Sequence, residues 1–251
     1  MRDALVTGGA EGIGFAIARK LVADGYRVTI ADLDGEKAAT RCRELGDHHL
    51  SVACDVTKED DVIAIAERGR FDVLVNNAGI GDSHLPTVEQ EVEAFRRLLD
   101  VHLAGTFLMS REIGKRMIEQ GHGAIVNLSS IAGLTGLPKR NAYGAAKAGI
   151  VAMTRSMACE WAGHGVRVNA VAPAFVETTL VLSLVKAGRI DLDEIARRTP
   201  IGRLITPDEV AAAIAFLASP AASAITGTVL SVDGGWTAYG DFGNASPGAM
   251  T

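Results

Sequence analysis

Seven short runs of apolar and β-branched residues recur along the chain, and helix-length segments separate them. The runs are Ala4–Thr7, Arg27–Ala31, Leu50–Cys54, Asp72–Val75, Ala124–Leu128, Arg167–Val171 and Thr228–Val232. Between them lie Ile13–Asp24, Lys58–Arg68, Val92–Gln120, Ala142–Ala162 and Pro207–Ala218, each long enough to cross a sheet and return the chain parallel to the preceding strand. That alternation admits few folds. It predicts a doubly wound α/β sheet of about seven parallel strands with helices on both faces. Right-handed crossovers then gather the carboxyl ends of the strands along one edge, where a ligand crevice opens at the point of strand-order reversal.

A chain of 251 residues, 48% of them hydrophobic, can cover such a sheet as one unit. No repeat, linker or shift of composition marks a second domain, so a single domain over residues 1–251 is expected. The net charge of −5, without blocks of like charge, argues against a nucleic-acid binder. Cys42, Cys54 and Cys159 lack the spacing of a disulfide framework or a metal site. Only Met1, Arg2 and Asp3 precede the first apolar run, and no uncharged run approaches the roughly 20 apolar residues of a membrane span. A soluble cytoplasmic protein is expected. Two regions break the alternation. Glu177–Arg203 has the length and position of a lid over the ligand edge. Trp236–Thr251 is a glycine-containing tail, either disordered or docked at a subunit interface.

Thr7-Gly8-Gly9-Ala10-Glu11-Gly12-Ile13-Gly14 follows the first strand and opens the first helix, the context in which a glycine loop cradles phosphates. Gly8 allows the tight turn, Gly12 lets the backbone approach a pyrophosphate, and Gly14 permits close packing of helix on strand. The helix N-terminus, Ile13 included, offers free N–H groups to the phosphates. Asp32 ends the second strand, where a carboxylate accepts from ribose hydroxyls and repels a 2′-phosphate; as a residue type it also suits a strand-end turn. Glu11 sits inside the loop, and neither Ala10 nor Leu33 supplies a cation for a 2′-phosphate. The cofactor expected is NAD.

Tyr143 and Lys147 stand four residues apart in a helical stretch, so both project from one face. An ammonium about 4 Å from a phenol contributes roughly 4 kcal/mol at an effective dielectric near 20, enough to bring the tyrosine towards neutral pH. There a general acid/base works best. A Tyr-x-x-x-Lys pair alone is more often a packed aromatic under a lysine stem, and its partners decide. Ser129 and Ser130 end the fifth strand at the ligand edge, where they can hold a substrate oxygen or cap a turn.

With these residues the chain resembles the short-chain dehydrogenase/reductase family over nearly its whole length. Thr7–Gly14 matches the family's cofactor loop, Asp55-Val56 its adenine contact, and Asn76-Asn77-Ala78-Gly79 its central-strand motif; Asp233-Gly234-Gly235 is typical of its C-terminal part. Ser130, Tyr143 and Lys147 match its active-site signature. The resemblance implies a Rossmann-like fold, a homotetramer, and direct hydride transfer between nicotinamide and a secondary alcohol or ketone. It implies that Ser130 stabilises the reacting oxygen, Tyr143 exchanges the proton, and Lys147 holds the nicotinamide ribose. Ser129 is then a bystander. It also implies that Asn77, Val176 and Thr178 contact the cofactor.

Two positions depart from the family pattern. His102 stands where asparagine is usual, the fourth member of the site. It either keeps a structural role, because that position works through its backbone carbonyl, or brings an imidazole into the proton path. Ala174 replaces a glycine after Pro173, and the turn there must do without a positive φ angle. Arg140, three residues before Tyr143, is either a surface arginine or, with His84 and His102, part of a polar substrate pocket. Such a pocket suits a sugar, polyol or hydroxy acid. Residues 220–236 also resemble the corresponding part of bacterial sugar and polyol dehydrogenases. The runner-up is reduction of a β-ketoacyl group on acyl carrier protein, which normally uses NADPH. A non-catalytic dinucleotide sensor is the third reading, against which stand the intact tyrosine and lysine.

Overall fold

The computed structural model describes residues 1–188, 190–241 and 243–245. Seven strands form one parallel sheet: β1 Arg2–Thr7, β2 Tyr26–Asp32, β3 Leu50–Ala53, β4 Val73–Asn76, β5 Gly123–Leu128, β6 Val166–Pro173 and β7 Val229–Val232. Their order is β3-β2-β1-β4-β5-β6-β7, so the direction of winding reverses between β1 and β4. Strands covered on both faces need apolar residues at successive positions. β1 shows this: Ala4 and Val6 pack into one layer with Ile17, Leu21 and Ile214, whereas Leu5 packs into the other with Ile65, Met109 and Ile113.

One layer is built on α1 Gly12–Ala23, α2 Gly35–Leu45 and α9 Pro207–Ala218; the other on α3 Glu59–Glu67, α5 Gly105–Gln120 and α6 Asn141–Trp161. The start of α9 is fixed chemically: Thr206 and Glu209 form a capping box around Pro207. The end of α5 is set by Gly121, whose φ of 76° reverses the chain into β5.

The segment expected as one helix over Val92–Gln120 is divided. α4 Val92–Leu99 gives way to a π-helical turn, Asp100–Ala104, before α5 begins. Beside this turn a Cβ on Gly105 would come 2.7 Å from the Val56 Cγ2, and within it His102 Nε2 lies 3.1 Å from the Ile80 N–H.

The segment expected as a lid contains α7 Thr179–Lys186 and α8 Leu192–Arg198. Its far end rests on the Asp233-Gly234-Gly235 turn, where a Cβ on Gly234 would meet Ile201 and one on Gly235 would meet Pro200. Arg198 donates to the carbonyls of Trp236 and Tyr239 and stacks on both rings, and the Ala245 N–H donates to the Arg197 carbonyl. The described part of the tail therefore packs on α8 of its own chain; residues 242 and 246–251 lie outside the described residues. Among the described residues, no helix is long and apolar enough to cross a membrane.

Candidate active site

A cleft of about 990 Å³ runs along the carboxyl ends of β1, β2, β4, β5 and β6. At one end lies the glycine loop. Gly8 has φ +60°, and a Cβ on it would come 2.8 Å from the Ala78 Cα; on Gly14 a Cβ would sit 2.1 Å from the Gly8 carbonyl oxygen. Glu11, the residue capping α1, offers no side-chain acceptor, so the amides of the first turn at Gly12, Ile13 and Gly14 are uncapped where the helix borders the cleft. Open N–H groups over a cradle with no side chains fit a pyrophosphate. Asn77, expected to touch the cofactor, spends its side-chain donors on the loop, giving 3.0 Å to the Thr7 carbonyl and 2.8 Å to that of Gly8. It is a strut for the cradle.

Asp32 lies at the end of β2, with Oδ2 accepting from the Ala10 N–H at 3.0 Å and Oδ1 from the Asp34 N–H at 3.1 Å. Held in this way, Asp32 borders the cleft. Lys37, on the first turn of α2, also lines this edge and is ion-paired with Glu11. Ala10 and Leu33 bring no cation to the loop, and the next helix supplies one that lies too far along the chain to be read from the loop's neighbours. Asp55 and Val56 line the same end; Asp55 accepts from the backbone and hydroxyl of Thr57, which holds its carboxyl below the usual carboxylate range.

At the other end, Ser130 closes β5 and Tyr143 and Lys147 rise from α6. Ser130 Oγ accepts from the Ala132 N–H at 3.1 Å and its hydroxyl hydrogen-bonds the Tyr143 phenol. Lys147 is buried, and its Nζ donates to the Leu128 carbonyl at 2.6 Å. Burial without an anion pushes the ammonium down to about 7. Ser129, the bystander in the sequence reading, donates to the Lys147 carbonyl at 3.0 Å and so ties α6 to the strand end.

Lys147 is expected to lower the phenol, but the groups that act on Tyr143 in this structure are different ones. Nζ lies 5.5 Å from the Tyr143 ring centroid, while the Arg140 guanidinium carbon lies 4.4 Å from it. Burial raises the phenol above its ordinary value, opposed chiefly by Arg140 and then by the Ser130 hydrogen bond. The lysine ammonium itself donates to the Leu128 carbonyl.

His102 sits in the π-helical turn, 4% exposed, with its ring edge-on to Tyr143 at 5.4 Å and packed close to Gly79. Nε2 lies 3.1 Å from the Ile80 N–H and 3.0 Å from the Ile80 carbonyl, and a single ring nitrogen can serve only one of them at a time. Nδ1 is buried without a hydrogen-bond partner among the described residues. Burial first, and the nearby Lys147 second, push the imidazole down to about 3, far from the neutral titration of an ordinary histidine.

His102→Asn is therefore expected to leave the pH–rate profile unchanged, because an amide can serve both Ile80 groups. A lost limb in the profile would put the imidazole in the proton path. The sign for stability follows from the same shift. Below the unfolded pKa of about 6.5 the unfolded chain takes up a proton that the folded chain refuses, so stability falls as pH drops towards 3. His102→Asn removes that loss, and its acid-unfolding midpoint is expected at lower pH than that of the native protein.

The last expected contacts also border the cleft. Val176 is buried and bridges to Ile205, and Thr178 caps α7 by accepting from the Val181 N–H while facing Gly12 across the cleft. Ala174 avoids a positive φ, and its N–H donates to the Val232 carbonyl. Arg140 lines the cleft and is paired through Nε with Asp82 at 3.1 Å, a partner absent from the sequence reading.

Comparison with known proteins agrees with this architecture. A family model described as Enoyl-(Acyl carrier protein) reductase matches residues 8–237. The chain is 46% identical over 244 residues to cis-4-hydroxycyclohexanecarboxylate dehydrogenase of Sinomonas cyclohexanicum, covering 94% of this chain and 97% of that one. It is 43% identical over 242 residues to D-threitol dehydrogenase of Mycolicibacterium smegmatis, covering 93% and 92% respectively. It also matches, at 45% identity over 249 residues, an uncharacterized short-chain type dehydrogenase/reductase of Sinorhizobium fredii, of whose length it spans only 45%. Among solved structures, ElxO with NADP bound superposes with a TM-score of 0.89 at 35% identity, over 95% of this chain and 99% of that one. The chain belongs to the short-chain dehydrogenase/reductase family. It is thus an oxidoreductase of the type that takes a nicotinamide dinucleotide.

Proposed function

We propose that this chain is an NAD-dependent dehydrogenase of a small secondary alcohol, of the sugar, polyol or hydroxy-acid class. The observation that carries the reading is the meeting of the Ser130 hydroxyl and the Tyr143 phenol in the same cleft as the glycine cradle. Cradle and hydroxyl pair sit on opposite flanks of the strand-order reversal, where a dinucleotide and a substrate carbon can be brought together. The two relatives that act on a hydroxy acid and a polyol support the substrate class.

In this reading the first turn of α1, with Gly8, Gly12, Ile13 and Gly14, holds the pyrophosphate. Asp32 accepts from the adenosine ribose, Asp55 and Val56 border the adenine, and Glu11 pairs with Lys37, the cation at that edge. Lys147 meets the nicotinamide ribose, and Val176 and Thr178 border the carboxamide. The bound dinucleotide supplies the hydride-accepting and hydride-donating carbon. Ser130 donates to the reacting oxygen and Tyr143 takes its proton during oxidation or returns one during reduction. His102 positions the π-helical turn behind Tyr143. The reading extends to a cytoplasmic homotetramer, and Phe107, an exposed aromatic on α5, supports an apolar contact between subunits there.

The test is a panel of sugars, polyols, sugar acids and hydroxy acids with NAD and with NADP, followed at the nicotinamide absorbance. NAD-linked oxidation of at least one class is expected. Preference for a β-ketoacyl thioester with NADPH would favour the acyl-carrier reading, and dinucleotide binding without any turnover would favour a sensor. Asp32→Ser is expected to reduce the NAD-to-NADP ratio of kcat/KM by about 10- to 100-fold, the loss of a charge-assisted hydrogen bond. An unchanged ratio would remove Asp32 from cofactor choice.

A further inference from the structure

The substrate end of the cleft carries more charge than a polyol needs. Asp82 is a buried carboxylate, 3% exposed, and both of its oxygens are engaged: Oδ1 accepts from the Ser83 N–H at 2.7 Å and Oδ2 from Arg140 Nε at 3.1 Å. It therefore holds a guanidinium in place and has little left to offer a substrate hydroxyl. The Arg140 side chain is 21% exposed, and its Nε N–H is given to Asp82. The two terminal nitrogens remain, and they are donors only. Two donors side by side in one plane match the two oxygens of a carboxylate better than any single hydroxyl.

The charge balance points the same way. Around the Tyr143 ring stand two basic side chains, Arg140 at 4.4 Å and Lys147 at 5.5 Å, against one acid, Asp82. When both are charged, one further anion brings the group to neutrality. Apolar Leu137, Leu184 and Ile190 line the same cleft, and these suit a carbon skeleton more than a chain of hydroxyls. The backbone on each side of the pair is also unusual. His84 (φ 57°) and Lys139 (φ 65°), close to Asp82 and Arg140 in the chain, are the non-glycine residues in the left-handed region among the described residues. Such conformations persist where a surrounding clamp holds them.

We propose that Arg140, held through Nε by Asp82, is the specificity-determining residue that receives the carboxylate of a compact hydroxy acid, whose carbinol then lies at Ser130 and Tyr143. This rests on the dehydrogenase reading of the cleft and narrows its substrate class from polyols and sugars to acids. The carboxylate takes no part in the chemistry. It orients the carbinol carbon, as a remote charged group can do when a fork of donors fixes it.

The test compares substrates that differ only in charge. With NAD, kcat/KM is measured for cis-4-hydroxycyclohexanecarboxylate, its carboxamide, and D-threitol, in the native protein, Arg140→Gln and Arg140→Lys. The native protein is expected to prefer the carboxylate. In Arg140→Gln the carboxylate-to-carboxamide ratio is expected to fall by about 10- to 100-fold, and Arg140→Lys to restore only part of it. Any effect of the lost guanidinium on the Tyr143 phenol acts on both substrates and cancels in the ratio. A ratio unchanged by Arg140→Gln, or a native preference for the neutral compounds, would overturn the proposal. Calorimetric titration with the unreactive probes cyclohexanecarboxylate and cyclohexanecarboxamide, in the presence of NADH, separates the two readings. Should no alcohol be oxidised, the dehydrogenase reading fails, while carboxylate binding weakened about 10-fold by Arg140→Gln still supports the carboxylate site. Equal binding of the two probes to the native protein overturns it.

Discussion

Tyr143→Phe is expected to lower turnover by about 10²- to 10⁴-fold while leaving the affinity for NADH nearly unchanged, because it removes one hydroxyl and keeps the ring. The ring has close neighbours of its own. It meets His102 edge-on at 5.4 Å and lies under the Arg140 guanidinium, and phenylalanine preserves both arrangements. What disappears is the oxygen that Ser130 hydrogen-bonds, and with it the titratable hydroxyl placed at the substrate end. The pH dependence adds a sign. Burial raises the phenol above its ordinary value, so it is protonated at neutral pH, and only its deprotonated form can accept the alcohol proton. Alcohol oxidation by the native enzyme should therefore climb with pH through the alkaline range, whereas ketone reduction, which needs the protonated form, should not. Tyr143→Phe should lose that climb. Undiminished oxidation by the variant would remove Tyr143 from the mechanism.

Gly14→Ala is expected to weaken dinucleotide binding by about 100-fold and to lower the melting temperature, through a single methyl group. The methyl would stand 2.1 Å from the Gly8 carbonyl oxygen and 2.5 Å from Asn77 Nδ2. Neither is the free end of a flexible side chain. The carbonyl belongs to the cradle, and the amide is the strut that holds it by donating to Thr7 and Gly8. Relief of the clash must move the loop away from α1 or break those bonds, and overpacking of this kind costs about 1–3 kcal/mol before any ligand is considered. A 100-fold change in affinity corresponds to about 2.7 kcal/mol. Gly136→Ala is the control, since a Cβ there meets nothing within 4 Å. Native affinity for NADH in Gly14→Ala would show that the cradle does not hold the cofactor.

The parts of this protein legible in its sequence are those written locally. Parallel strands buried on both faces appear as unbroken apolar runs, and the run Ala124–Leu128 lies within β5 Gly123–Leu128. The glycine loop, Asp32, Ser130 and the Tyr143–Lys147 spacing are local as well, and all line one cleft. What could not be read depends on contacts between distant segments. Arg140 finds Asp82 from 58 positions away. Lys147 donates to the Leu128 carbonyl, 19 positions away. Lys37 reaches Glu11 from the next helix, a pair visible only once α2 is folded beside the loop. From within the π-helical turn Asp100–Ala104, His102 meets Ile80, 22 positions away.

The most direct measurement is the fate of the carbinol hydrogen. NAD is incubated with the native protein and an accepted alcohol deuterated at its carbinol carbon, and the mass of the reduced nicotinamide is determined. One deuterium in each molecule of NADH is the predicted result, with formation slowed in parallel by Tyr143→Phe. Reduced nicotinamide free of deuterium, or equal formation by native and variant proteins, would contradict the assignment of this cleft as the place where Tyr143 takes a proton while hydride passes directly to the cofactor.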